Sequence, residues 1–390
     1  MKSFVQSLVT RRGLIKADIG SAGAVGAGGF VLAATDLQHG VRAQEATPAT
    51  GHDMTNMGAG ELVMPGVVGE VHHVANGFDP TDILTDFDEG EITTLPSGQL
   101  QHEYWITALN KDIELVPGIK YAAWTYNGRI PGPTIRVREG NRVKINFNNG
   151  GNHHHSMHFH GIHPSTMDGV FDAASGQIAP GESFIYEFDA EPAGLHLYHC
   201  DTAPLAAHIA HGLYGTFIVD PKDGWPPVDH EFVMVMSGFD IDFDGANDFY
   251  VVNGIPFHYD HTKHPIQFKV GEQIRIFLVN ILEYDLINSF HLHANFFNYY
   301  PTGTSRTPSE FTDTIAQMQG QRGILEFSYR FPGLYMFHAH KTEFAELGWT
   351  GVFEVQEQPC RRPPSPLLSQ IDLVRAPSCF LPCQFCSLPE

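Results

Sequence analysis

Four short pairs of side chains carry the chemistry that this sequence could perform: His158/His160, His199 with Asp201, His291/His293 and His338/His340. In an extended strand residues i and i+2 project from one face, so each pair aims two side chains into one cavity. A single histidine of this kind is as a rule a surface or core residue. Seven that fall on repeat-related positions read as metal ligands, because neutral imidazole is a common donor to transition metals. Cys200 lies directly after His199 and is the lone thiol of the folded body. The other four cysteines, Cys360, Cys379, Cys383 and Cys386, all follow residue 359, so no disulfide can form within that body.

Ligand type narrows the metal. Imidazoles with one thiolate suit copper, whereas structural zinc usually recruits more thiolates. A blue-copper site needs two histidines and a cysteine with a weak axial position, and His155, Cys200 and His208 meet that demand. Leu213 stands where an axial methionine would fall, and His211 is a second candidate for that position, two residues early.

The elements that must hold these residues are short β-type runs punctuated by turns: 121–126, 134–137, 142–147, 183–188 and 215–219. Many short strands without a long amphipathic helix predict a Greek-key sandwich. An internal repeat doubles it. Pro180-Gly181-Glu182 through Gly194-Leu195-His196-Leu197-Tyr198-His199-Cys200 matches Gln319-Gly320-Gln321 through Gly333-Leu334-Tyr335-Met336-Phe337-His338-Ala339. Val137 to Val143 before His158 likewise echoes Val270 to Ile274 before His291. Two homologous units follow, joined around Pro221 to Pro227.

With 390 residues, 42% hydrophobic and 17% charged, the chain has the composition of a two-domain globular protein and not of a disordered one. Its 44 acidic against 23 basic residues give a formal charge of −21, which repels nucleic acid and anionic membranes. Thr10-Arg11-Arg12-Gly13-Leu14, a Gly/Ala-rich run to Ala34 and Val41-Arg42-Ala43 resemble a twin-arginine signal over residues 1–43, which predicts a periplasmic or secreted protein without stable membrane insertion. Residues 44–98 are expected to form a flexible leader, with Met54, Met57 and Met64 as soft donors or as ordinary linker residues. Residues 358–390 are expected to be a disordered tail.

His155-Ser156-Met157-His158-Phe159-His160-Gly161, Tyr198-His199-Cys200, His208-Ile209-Ala210-His211-Gly212-Leu213 and Phe337-His338-Ala339-His340 resemble the motifs of two-domain multicopper oxidases of laccase type, relatives of the copper nitrite reductases. The resemblance spans roughly residues 100 to 356. It implies an all-β fold of two cupredoxin-like Greek-key β-sandwich domains, over 99–222 and 223–357. It implies type 1 copper at His155, Cys200 and His208, and type 2 copper at His158 and His291. One type 3 copper would take His160, His199 and His340. Its partner would take His293 and His338, with Asp201 where the family has another histidine. The second domain has Asn288, Ala339 and Leu347 where a second blue site would need His, Cys and His.

The activity so implied is four-electron reduction of dioxygen to water, fed one electron at a time by a small-molecule or metal-ion reductant through Cys200 and His199, with Asp201, Glu343 and Asp313 as candidate proton relays. Asp201 keeps two other readings open: nitrite reduction at a mononuclear copper held by His160, His199 and His340, or a copper-binding electron carrier without turnover. Because the cluster needs both domains, the family resemblance implies a closed head-to-tail homotrimer. His72, His73, His153, His154, His163, His258, His261 and His264 fall outside the motifs and are expected to be mostly exposed loop residues, with a second metal site among them left open.

Overall fold

A computed structural model describes residues 69–358, apart from 171, 172, 174 and 261. The expected signal and tail lie outside the described residues. Four sheets make two sandwiches. In the first, one sheet orders Phe87–Asp88, Thr134–Arg138, Tyr214–Asp220, Gly194–His199 and His158–Phe159. The facing sheet orders Glu91–Thr94, Leu100–Val116, Arg142–Asn149 and Ser183–Asp189, with Ile119–Tyr126 also paired to Leu100–Val116. Each of the five runs read from sequence falls inside one of these strands. Period-two burial explains why they form: Tyr104, Ile106 and Ala108, then Val143, Ile145 and Phe147, then Tyr186 and Phe188 all point into one core. Each such large apolar side chain contributes about 1.5–3 kcal/mol on burial.

The second sandwich repeats the plan. Thr134–Arg138 runs parallel to Tyr214–Asp220, which is antiparallel to Gly194–His199. Ile266–Lys269 runs parallel to Thr350–Gln356, which is antiparallel to Gly333–His338. In both repeats an aromatic ring lies across a glycine of the neighbouring strand. A Cβ on Gly215 would sit 2.3 Å from the Tyr198 ring, and one on Gly351 would sit 2.3 Å from Phe337. These aromatic-over-glycine pairs hold the register of the strands that end in His199 and His338.

A further core joins the two units, with Ile113, Leu115, Leu195, Leu197 and Ile218 packed among Val233, Val235, Phe277, Val279 and Ile324. Arg136 and Arg275 share Glu231 across the same boundary. Among the described residues no helix is long and apolar enough to cross a membrane.

Part of the expected flexible leader is structured. Residues 73–76 and 80–83 form two single-turn helices, 87–88 and 91–94 join the first sandwich, and Val71, Phe78, Ile83 and Leu84 are buried. Elements of two to four residues are too short to show a period, and their order comes from burial against distant strands.

Candidate metal centres

Cys200 is fully buried at the end of strand Gly194–His199. Its Sγ lies 3.1 Å from His208 Nδ1, and His208 Nδ1 lies 3.3 Å from His155 Nδ1. His208 is carried by the short helix Leu205–Ala210, and His155 by a loop residue bridged to Ile178. Burial pushes the His155 and His208 imidazoles down to about 3 and about 4, so both are neutral donors at pH 7. Burial pushes the Cys200 thiol up, opposed by hydrogen bonding from Thr202 and from the Ser156 N–H, 3.3 Å from Sγ. A cation compensates a buried thiolate, and one sulfur with two imidazole nitrogens is the donor set that copper takes in blue sites. Leu213 is fully buried and adds no donor side chain. His211 is engaged elsewhere: it stacks on Trp124 with ring centroids 4.3 Å apart, and its Nδ1 donates to Ala207 O at 2.6 Å.

His158, His160 and His199 form a second cluster, with potential ligand atoms within 4.8 Å of one another. His158 pairs with His199 across neighbouring strands, and His160 Nε2 lies 2.9 Å from His199 Nε2. His291, His293 and His338 repeat the arrangement: His291 pairs with His338, and His293 Nε2 lies 2.9 Å from His338 Nε2. His340 stands beside this second triad, its ring 5.1 Å from that of His291. The first triad comes from the first sandwich and the second triad from the second.

Ring tautomers show that both triads suit a cation. His199 Nδ1 donates to Cys200 O at 3.0 Å and His338 Nδ1 to Ala339 O at 2.7 Å. His158 Nδ1 meets Asp168 O and Oδ1, both at 2.9 Å. His291 Nδ1 meets Asp313 O at 3.0 Å and Thr314 Oγ1 at 2.8 Å. With Nδ1–H committed outward, the four repeat-related rings turn Nε2 lone pairs into the clusters, the orientation that metal-ligating histidines take. Burial lowers His160 to about 3 and His199 to about 4, and lowers His293 and His338 as well.

Asp168, His163 and Thr314 support the rings without having been expected to. Asp168 Oδ1 also lies 3.5 Å from His163 Nε2. Asp168 follows His158 by ten residues through a loop, a separation with no periodic signature. Asp313 acts through its backbone oxygen. The Asp201 N–H donates to Ser156 Oγ at 3.2 Å, and burial pushes its carboxyl up against the opposing field of His158. In the second unit, buried Asn288 and Ala339 leave the counterpart of the thiol site without sulfur.

The multicopper oxidase family matches residues 108–224 and 230–359. A crystal structure of a multicopper oxidase is 59% identical, covering 74% of this chain and all of that one, with a TM-score of 0.72. A copper nitrite reductase from Nitrosomonas europaea is 29% identical over 66% of this chain and 94% of that one, with a TM-score of 0.61. The copper-containing nitrite reductase of Neisseria gonorrhoeae is 31% identical over 252 residues, 60% of this chain, and the match spans 62% of that relative's length. Copper is the metal that these relationships support, and oxidoreduction the class of chemistry; by both of its matched halves, the chain belongs to the multicopper oxidase family.

Proposed function

We propose that the protein is a laccase-like oxidase that takes single electrons from a reductant and reduces dioxygen to water. The electron entry site is formed by His155, Cys200 and His208 as type 1 ligands. The type 2 and type 3 cluster is formed by His158, His160 and His199 with His291, His293, His338 and His340. Bound copper would supply the one-electron redox chemistry that no side chain of the chain has.

The residues themselves provide the rest. The Cys200 side chain enters one site and that of His199 the other, so a single peptide joins them. The hydrogen bond from His199 Nδ1 to Cys200 O at 3.0 Å shortens that connection further. Asp201, whose carboxyl burial pushes upward, is suited to hold a proton beside the cluster.

The observation that carries this reading is the second triad. A mononuclear catalytic site needs few donors from the second unit, and here His291, His293 and His338 converge with His340 alongside. Nitrite reduction at a mononuclear site is the second reading, favoured by Asp201 in place of a histidine and by the likeness to a nitrite reductase. Oxygen consumption with a phenolic donor, measured beside nitric oxide release from nitrite, separates them: the oxidase reading expects the first and is overturned by the second alone.

A homotrimer completes the cluster in this proposal. Strand Gly194–His199 is buried at every position, with Leu195 and Leu197 packed in the core shared with the second unit. Its repeat counterpart, Gly333–His338, leaves Gly333 and Leu334 exposed and Tyr335 and Met336 half-exposed. A second copy covering that face, as the second unit covers the first, would set the triad of one subunit against that of the next. Repeated head to tail, this contact closes a ring. Export by the twin-arginine-type segment puts the protein in the periplasm or outside the cell. Its acidic surface favours a cationic reductant such as a reduced metal ion, with phenols as the small-molecule alternative.

A further inference from the structure

A third histidine cluster lies away from the repeat-related positions. His73 belongs to the single-turn helix His73–Asn76, while His258 and His264 come from the loops between strands Phe249–Val252 and Ile266–Lys269 of the second sandwich. Their potential ligand atoms lie within 4.8 Å of one another. The rings of His258 and His264 stack at 4.4 Å and 6°, and the His73 ring stands edge-on to both, at 4.9 and 5.8 Å. We propose that His73, His258 and His264 bind one borderline divalent cation, zinc or copper(II), which ties the segment before the first sandwich to the second one.

Three observations carry the proposal. Both ring nitrogens of His73 are shielded from water and have no hydrogen-bond partner. An unpaired buried imidazole is costly, and a bound cation satisfies it. Second, carboxylates back the other two rings: Asp79 Oδ1 lies 3.3 Å from His258 Nε2, and Glu70 Oε1 lies 2.9 Å from His264 Nε2. Thr81 Oγ1 is also 2.8 Å from His258 Nε2. Where a carboxylate holds the Nε2–H, as Glu70 does for His264, the Nδ1 lone pair is left to a metal, the support that metal-bound histidines use.

Third, the three histidines help to line a cavity of about 20 Å³ together with Glu70, Pro256 and Lys263. That space suits a single ion or water and no larger ligand. Three imidazoles with nearby carboxylate oxygen suit zinc or copper(II) and are too rich in nitrogen for calcium or magnesium.

This site is independent of the oxidase reading and of the electron path. The full-length, copper-loaded protein is stripped of loosely held metal and titrated with zinc chloride, and separately with copper(II), by calorimetry and metal analysis. The same titrations are run on His73→Gln and His264→Gln. The expected result is one additional equivalent per chain, at least tenfold weaker in either variant, with blue absorption unchanged. Because copper(II) binds imidazole more tightly than zinc whatever the natural ion, metal analysis of the protein as purified, and not relative affinity, identifies that ion. No additional equivalent in the unsubstituted protein, or uptake undiminished in both variants, overturns the proposal. If neither variant folds, zinc-dependent protection against thermal unfolding of the unsubstituted protein decides the matter: a rise in midpoint supports the site, and none refutes it.

Discussion

Asp168→Ala tests how the histidine cluster is held. Asp168 Oδ1 and its own backbone oxygen both lie 2.9 Å from His158 Nδ1. Truncating the side chain leaves the backbone acceptor, so the tautomer that turns Nε2 inward is kept. What is lost is a carboxylate that helps to orient the ring and adds negative charge behind it. Removing such an outer partner typically lowers metal affinity about 10–100-fold. The retained carbonyl sets the expected loss at the lower end, about tenfold or ~1.4 kcal/mol. Competition of the loaded protein against a copper chelator, followed by paramagnetic resonance, reads the non-blue and blue signals separately. The variant should lose non-blue copper at about one-tenth the chelator concentration while the Cys200 site is unaffected. Unchanged affinity, or equal loss from both sites, would refute the assigned role of Asp168.

Leu334 is 45% exposed on the strand proposed to face a neighbouring subunit. Leu334→Asp should yield a monomer by light scattering, with blue absorption retained and oxygen reduction lost; a fully active monomer contradicts the shared cluster. Gly215→Ala drives a methyl to within 2.3 Å of the Tyr198 ring, and overpacking of this kind costs about 1–3 kcal/mol, so the urea midpoint should fall clearly. A midpoint equal to that of the unsubstituted protein would show the strand to be more pliant than argued. In the metal-free protein, burial pushes His155 and His160 down to about 3 and His199 and His208 down to about 4, below the ordinary 6.5. Below 6.5 the unfolded chain therefore binds protons that the folded one refuses, so stability is full above that pH and falls steadily towards about 3. Denaturant unfolding that is flat across this window would be inconsistent with buried neutral rings.

Much of this was legible in the residues because it was written twice. The glycine-to-histidine spacing in Gly194–His199 and Gly333–His338 reports a duplicated hairpin, and the matching strand orders bear it out. Short β-type runs between turns likewise located five strands of the first sandwich, though not Leu100–Val116. Features made by single, non-local contacts left no such trace. Asp168 reaches His158 through an irregular loop, and Val71, Phe78 and Ile83 acquire their order from strands far along the chain. His258 was expected among exposed loop histidines, yet it is buried beneath the segment that contains Thr81.

Counting copper in the purified protein, with paramagnetic resonance on the same sample, tests the central claim most directly. Two triads working as one cluster beside the Cys200 site predict about four coppers per chain, of which a coupled pair gives no resonance signal. About two coppers per chain, both visible, would contradict the oxidase account and leave a mononuclear catalytic site in its place.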